Sequence, residues 1–365
     1  MITIEDFKPS ETYLFLESSY KRDLLEVAIA KAGSQRKLGT ILKLDKGCAY
    51  QTKISTWLRQ NNLRLDLIHA LHKYLRKKLI VEKIKGLKSE TTGGLITNIK
   101  FPVRLSPELA NILAKLYCDG SVTKRNKYTT IYYNTCPQLI SEYKEKIGHC
   151  FGNLKFSESK GHVYAVRVPN IIGKVLYKKF RLGMNRIPSQ IMLADKEIKA
   201  AYLRAVFDDE GNVNKIHGQI RLKMKFKTFL QDVKQLLEEF SIETSPLGKD
   251  FSGAGHLAWY FVISGQYNLR KFYKRIGISH PDKKKKLRKR LRSYKQNTYG
   301  YKARFVILDI LRKGGSKSVE DLANIAGRDR RTIQHHLNNL IESKLVKFTK
   351  VKTKYSFKNC WASVK

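Results

Sequence analysis

Apolar positions along this chain change their spacing several times. From about residue 20 to 85 the spacing is helical: Asp23–Lys31, Gln35–Leu44, Tyr50–Arg59 (with Ile54, Trp57 and Leu58 on one side) and Leu65–Leu75. Short helices separated by a break at Lys46–Gly47 predict a helix-turn-helix domain. Lys83–Lys100, containing Gly93–Gly94, reads as a linker. A helix is then predicted from Ser106–Pro107, an N-cap followed by proline in the first turn, through Leu109, Ile112, Leu113 and Leu116 to a stop at Gly120. A strand region at Lys124–Thr135, a helix at Leu139–Phe151, a strand at His162–Val168 and a helix at Ile171–Phe180 follow.

The same order then recurs. A helix at Lys196–Glu210 is capped by Asp195 and closed by Gly211. It is followed by a strand at Ile220–Lys227, a helix at Phe229–Phe240, a strand at Trp259–Ser264 and a helix from Leu269. The chain therefore reads as an internal duplication of about 90 residues. Past Lys302, Phe305, Ile307, Leu308 and Leu311 mark one helix and Val319–Ala326 a second. Asp329 caps a third, with Ile333, Leu337 and Leu340 inward, and Leu345–Phe348 and Lys354–Phe357 read as a two-stranded wing. The expected class is α+β, with a helical helix-turn-helix domain at 1–85, a linker at 86–100, two copies at 101–188 and 189–293, and a winged helix-turn-helix at 294–365.

Charge narrows the partner. The formal net charge is +41, which predicts a polyanion, most simply nucleic acid. A ribosomal or chromatin-type coat protein fits the same charge, and so does an anionic membrane surface. The basic residues are spread through folded-looking segments, which argues against the membrane. Five scattered cysteines with no C-x-x-C pair argue against a disulfide scaffold or zinc ribbon and for a reducing interior. No apolar run approaches a membrane span, and Met1–Pro9 is not a signal peptide. A cytoplasmic protein is expected, nucleoid-associated in a prokaryote.

Two segments carry the candidate chemistry: Ala110–Val122, A-N-I-L-A-K-L-Y-C-D-G-S-V, and Ala201–Val213, A-Y-L-R-A-V-F-D-D-E-G-N-V. In register, Ala110 matches Ala201, Ala114 matches Ala205, Asp119 matches Glu210 and Gly120 matches Gly211. Small residues every fourth position let two helix backbones approach closely. Helices crossing on those stripes would bring Asp119 and Glu210 together at two negative helix ends. Two readings stand: solvated caps without metal, or a Mg²⁺ site able to activate water for phosphodiester cleavage. The strand after the second segment supports a nucleic-acid partner, because Ile220, Leu222, Met224 and Phe226 alternate with Arg221, Lys223, Lys225 and Lys227. The first copy is less regular, with Lys124, Arg125 and Lys127 beside Tyr128, Tyr132 and Tyr133. Gln51, Thr52, Lys53 and Ser55 would face a groove from the first domain, and Arg330, Arg331, Gln334 and His335 from the last. An ordinary helical bundle is the alternative for the first domain. His335–His336 alone is a poor metal site, since adjacent helical residues point apart. Lys283–Arg292 is a charge run, read as a solvated helix or a phosphate contact.

F-P-V-R-L-S-P-E-L-A-N-I-L-A-K-L-Y-C-D-G-S-V, R-I-P-S-Q-I…E-I-K-A-A-Y-L-R-A-V-F-D-D-E-G-N-V and K-F-Y-K-R-I-G-I-S-H-P-D-K-K-K-K-L resemble, in order, the motif blocks of LAGLIDADG homing endonucleases over about residues 101–293. The resemblance implies two pseudo-symmetric αββαββα repeats forming a DNA-binding saddle. It implies metal-dependent cutting of both strands of a target site, with Mg²⁺ or Mn²⁺ as cofactor. Carried over, Asp119 and Glu210 are the catalytic acids and metal ligands, with Gly120 and Gly211 beside them. Lys223 or Lys225 would be the assisting basic residue on the sheet. From charge and the helix-turn-helix readings, Gln51, Lys53, Lys124, Arg125, Lys127, Arg221, Lys227, Arg330, Arg331 and Gln334 are expected to contact DNA. Ala114 and Ala205 stand where the family commonly has glycine, alanine still being small enough for close packing, and Asp209 stands where a small residue is usual, in register with Cys118. A-G-S-Q-R-K-L-G-T-I-L-K-L…Q-T-K-I-S-T-W-L-R resembles the helix-turn-helix of phage-repressor-type regulators. The chain starts at Met1 and ends Ser363–Val364–Lys365, so a free-standing monomer is expected, not an intein. The expected function is a site-specific homing endonuclease on double-stranded DNA. A non-cleaving regulator on the same scaffold and an intron-RNA maturase are the alternatives.

Overall fold

The computed structural model describes the chain except for residues 45–49, 61, 90–93, 125–127, 183–184, 215–216, 252–256, 295–302, 353–356 and 365, and the side chains of 50, 51, 303, 351, 352, 357 and 358. The predicted break at Lys46–Gly47, Gly93, and 354–356 of the predicted wing therefore lie outside the described residues. The chain divides into two units, Met1–Leu291 and Arg292–Lys365.

The first unit opens with β1 (Thr12–Leu16), α1 (Ser18–Ala32), α2 (Gln35–Ile41), α3 (Tyr50–Arg59), β2 (Asn62–Arg64), α4 (Leu65–Leu75), β3 (Ile84–Ser89) and β4 (Ile96–Thr97). The expected helices are present, but the domain is not all-helical: an antiparallel sheet of order β2-β1-β3-β4 runs through it. Nor is 86–100 a plain linker. Ile84 and Leu87 are buried against β1, and Gly86 lies where a Cβ would sit 2.6 Å from the Ile96 carbonyl oxygen. This sheet is built from residues some 70 positions apart, such as Leu14 and Leu87, so local spacing does not reveal it. β4 continues into the next domain: Thr97 and Asn153 exchange backbone hydrogen bonds of 2.8 and 2.9 Å, and Lys174–Glu11 and Lys179–Asp6 ion pairs join the same two regions.

The first copy is α5 (Pro107–Tyr117), β5 (Gly120–Thr123), β6 (Thr129–Asn134), α6 (Pro137–Phe151), β7 (Ser157–Ser159), β8 (Tyr164–Val168) and α7 (Asn170–Phe180). After the short α8 (Ser189–Met192), the second is α9 (Lys196–Asp209), β9 (Gly211–Asn214), β10 (Gln219–Met224), α10 (Lys227–Glu239), β11 (Gly248–Phe251), β12 (Leu257–Ser264) and α11 (Gln266–Arg275). Both copies are αββαββα, and their antiparallel sheets have equivalent orders, β5-β6-β8-β7 and β9-β10-β12-β11. The Ser106 hydroxyl caps α5 by accepting from Leu109 N at 3.3 Å. Asp195 holds the N-cap position of α9 without a side-chain cap hydrogen bond. α12 (Pro281–Ser293) carries the charge run.

α5 packs on α9, with Ala110, Ala114, Ala201 and Ala205 buried between them. Gly120 and Gly211 lie just past the ends of their helices, as expected, but do not cap them. Cys118 and Glu210 are the C-caps, and each glycine is the first residue of a strand that turns back across its helix. A Cβ on Gly120 would lie 2.5 Å from Leu116 Cα, and one on Gly211 would lie 2.5 Å from the Phe207 carbonyl oxygen.

The second unit holds α13 (Ala303–Gly314), α14 (Val319–Ala326), α15 (Arg330–Glu342), β13 (Val346–Lys352) and β14 (Phe357–Ser363). Asp329 caps α15 by accepting from Thr332 N at 2.9 Å, as expected. Ile333, Leu337 and Leu340 face a core of Ile307, Leu311, Leu322 and Trp361. The wing is an antiparallel pair whose first strand extends past the predicted Phe348 and whose second begins at Phe357, where the predicted Lys354–Phe357 strand ends.

Gly120→Ala should cost about 1–3 kcal/mol in urea unfolding, because backbone must shift to admit the methyl group. Gly148→Ala, within α6 and with nothing within 4 Å of the added carbon, should stabilise by up to about 1 kcal/mol.

Candidate active site

The paired helices deliver their acids to one place. Asp119 follows the end of α5 and Glu210 ends α9, each with its carboxyl partly buried. Burial raises the pKa of Asp119, against the pull of Lys283, Lys115 and the Asn134 amide. Burial, then the neighbouring charge of Asp119, raises Glu210 from 4.5 to about 7. The electrostatic coupling places the two acids within each other's field, as the register of the twin segments requires.

Asn134 on β6 holds the first acid: its amide donates to Asp119 Oδ2 at 3.0 Å. The same amide reaches Asp209 Oδ1 at 3.3 Å and the Tyr132 hydroxyl oxygen at 3.1 Å. Tyr132 donates to Asp209 Oδ1 at 2.9 Å and accepts from Lys115 Nζ at 3.0 Å. Lys115 Nζ lies 3.7 Å from Asp209 Oδ1, and both side chains are wholly buried. This accounts for Asp209, the acid with no place in the sequence pattern: it is the partner of a buried lysine on the facing helix. Burial still raises its pKa to about 7. Among the described residues the second copy has no equivalent at this position, since β-register sets Tyr132 opposite Gly120 but Leu222 opposite Gly211.

Lys283 on α12 is the basic residue that sequence reasoning missed. Its ammonium donates to the carbonyl oxygens of Asp208 and Asp209, the latter at 3.0 Å, at the negative end of α9. Burial lowers its pKa, while Asp209, Asp208, Asp119 and Glu210 all oppose that shift. Asp208 anchors this arrangement by accepting from Ser279 N at 2.7 Å and His280 N at 2.8 Å, just ahead of α12. The signal was in the sequence, at the first lysine of the charge run, but a run of like residues does not say which one turns inward.

The expected sheet lysines stand elsewhere. Lys223 Nζ lies 3.0 Å from Asp250 Oδ2 and donates to the Phe251 carbonyl at 3.1 Å. Lys225 is exposed, 5.7 Å above the Phe226 ring, and lies past the end of β10. Lys227, exposed on α10, lies 4.8 Å above Trp259. Arg221 pairs with Asp250 at 2.6 Å. Lys124 is exposed beyond β5, whereas Arg125 and Lys127 lie outside the described residues. In the first domain Thr52 is exposed on α3 and Lys53 is half-buried, and the Gln51 side chain lies outside the described residues. On α15, Arg330, Arg331 and His335 are exposed and Gln334 donates to Asn338 at 3.0 Å.

Among the described residues no three His, Cys, Asp or Glu side chains converge on one point as a metal cage. The donor set nonetheless suits a hard cation that keeps water and shares a substrate phosphate, for which one or two carboxylates suffice. Like-charged, desolvated acids at two helix C-termini are what a divalent ion would relieve, and Asp208 and Asp209 each retain a buried oxygen without a partner.

Residues 197–277 match the family model of the LAGLIDADG-like domain, and 302–347 match that of bacterial regulatory proteins of the arsR family. The chain is 26% identical over 216 residues to glutamine–fructose-6-phosphate aminotransferase of Methanocaldococcus jannaschii, covering 56% of this chain and 19% of that protein. It is 29% identical over 190 residues to the replication factor C small subunit of the same organism, covering 49% and 10%. The chain thus spans a fifth or less of the length of these curated relatives. Among solved structures, the homing endonuclease I-DmoI in complex with DNA and Mn is 18% identical, with a TM-score of 0.38, covering 48% of this chain and 98% of that one. Full-length DUF199/WhiA from Thermatoga maritima is 10% identical, with a TM-score of 0.37, covering 67% and 93%. No helix among the described residues is long and apolar enough to cross a membrane.

Two outcomes check the electrostatics. A carboxyl whose folded-state pKa is raised adds most stability below its unfolded value and loses that contribution as pH rises through the folded value. Metal-free stability should therefore fall between pH 4.5 and 7 more steeply in the unaltered protein than in Glu210→Gln, and Mg²⁺ or Mn²⁺ should restore it above pH 7. Lys115→Met should cost about 3–5 kcal/mol above pH 7 by stranding Asp209, and Lys115→Met/Asp209→Ala should recover most of that in denaturant titrations. The chain thus carries a LAGLIDADG-like segment at 197–277, within the second of two αββαββα copies of equivalent sheet order, and a segment at 302–347 similar to the arsR-family helix-turn-helix.

Proposed function

We propose that this chain is a site-specific DNA endonuclease that hydrolyses phosphodiester bonds with Mg²⁺ or Mn²⁺, acting as a monomer. The observation that carries the reading is the pairing of Asp119 and Glu210 at the joined ends of α5 and α9, with Glu210 pushed up to about 7 by burial and by its neighbour. A divalent ion held by these carboxylates would supply an activated water and countercharge for the leaving oxygen. The chain's own residues do the positioning. Asn134 fixes the Asp119 carboxylate, Lys283 neutralises the carbonyl end of α9, and Asp208 seats the start of α12. The net charge of +41 supports a duplex partner. So does the company the segment keeps: an aminotransferase, a replication factor subunit and an RNA polymerase subunit have unrelated names, yet each matches over a fifth or less of its length. A segment shared by such proteins behaves as a module independent of their activities, as expected of a homing element.

A second reading, a non-cleaving DNA-binding regulator, is favoured by the arsR-type terminal domain. The partly buried acid pair favours cleavage, because two carboxylates drawn out of water side by side are costly to retain for binding a polyanion.

Asp119→Asn and Glu210→Gln should each abolish Mg²⁺- and Mn²⁺-dependent cutting of a target recovered from a genomic library, with duplex binding preserved. Lys283→Met should lower the cleavage rate roughly 100-fold. Unimpaired cutting by both acid variants overturns the endonuclease reading. Tight binding with no cutting by the unaltered protein supports the regulator.

A further inference from the structure

The second copy's sheet carries a side-chain cluster that cleavage chemistry does not use. Arg221 and Lys223 on β10 share one oxygen of Asp250 on β11, at 2.6 and 3.0 Å. The other Asp250 oxygen accepts from the backbone N of Phe251 at 2.8 Å. The Arg221 guanidinium lies 3.8 Å from the centroid of the Tyr260 ring on β12. That ring lies across Gly248, where a Cβ would be 2.6 Å from it. The guanidinium is thus held by a carboxylate at one edge and an aromatic ring at one face. Its Nε is buried without a partner, so the exposed third of the side chain presents the terminal amino groups.

An acid in the middle of a basic face is the informative feature. A cluster built to grip phosphate gains nothing from a carboxylate, which repels the backbone and cancels one of two cations. Fixing a planar pair of donors does gain from it, because the rotamer freedom of a long side chain is lost before the ligand arrives.

We propose that Arg221 reads a guanine in the major groove, with Asp250 and Tyr260 as its positioning residues. Two parallel N–H donors of a fixed guanidinium match O6 and N7 of guanine and no other base edge. The proposal rests on the reading that the chain recognises a duplex DNA site. Arg221 pairs with Asn212, two residues beyond Glu210. The guanine therefore lies roughly 10 Å from the acids, or about three base pairs from the cut. At the corresponding positions of the first copy stand Ile131 and Tyr133, which offer no cation.

The test is selection of bound duplexes from a randomised library by the full chain, without metal, followed by sequencing. The unaltered protein should enrich guanine at one fixed position. Arg221→Ala and Arg221→Lys should each lose roughly 10- to 100-fold of the preference there and leave other positions unchanged. Asp250→Ala should relax the same position only, despite adding net positive charge and tightening binding to non-specific DNA. A uniform weakening across all sequences by Arg221→Ala, or an unchanged guanine preference, overturns the inference while site recognition stands. Absence of any sequence preference in the unaltered protein overturns both.

Discussion

The close approach of α5 and α9 is the constraint on which the rest depends. Ala110, Ala114, Ala201 and Ala205 leave no side chain to hold the backbones apart, and Gly120 and Gly211 let each strand fold back across its own helix. The geometry places two negative helix ends, each bearing an acid, side by side under low solvent access. An isolated pair of helix ends in that position would repel. Much of the surrounding structure supplies cations and donors to offset this: Lys115 from one helix, Lys283 from α12 and the amide of Asn134.

That compensation is distributed unequally between two topologically equivalent halves. The first copy brings Lys115, Tyr132 and Asn134, while the second brings Asp209 and receives Lys283 from α12, the helix that follows its αββαββα elements. Two first copies paired together would bury two lysines, and two second copies would bury two aspartates. The Lys115–Asp209 pair therefore favours joining unlike halves, a use of buried charge better attested than any gain in stability.

Helical spacing, the twin motifs and the acids were legible from sequence because each depends on neighbours within a turn or on exact repetition. The proximity of Asp119 and Glu210 follows from register alone, and the inner face of α15 from its spacing. What was not legible depended on distant partners. Asp209 broke the small-residue pattern, and its reason, Lys115, lies 94 positions earlier by residue number. Lys283 was hidden among identical neighbours, because burial of one lysine follows from how Asp208 seats α12. The sheet of the first domain escaped notice because its strands are short and pair across α1 to α4. The family pattern suggested Lys223 for the sheet base, but Asp250, on a strand not predicted at all, redirects that side chain.

The asymmetry extends from the acid centre to the sheets. One sheet presents Arg221 and Lys223, tied to Asp250, where the other presents Ile131 and Tyr133. Apolar and aromatic side chains suit thymine methyl groups, whereas a fixed guanidinium suits guanine. A homodimer applies one reading surface to both half-sites and so requires a palindrome. For a protein that reads a duplex as proposed above, fusion into one chain removes that requirement, and halves that meet different half-sites can differ in their reading surfaces while the shared helix pair holds them in register. Divergence at the helix ends follows the same logic, since an interface made of unlike halves can place a lysine opposite an aspartate, which a symmetric one cannot do without burying each twice.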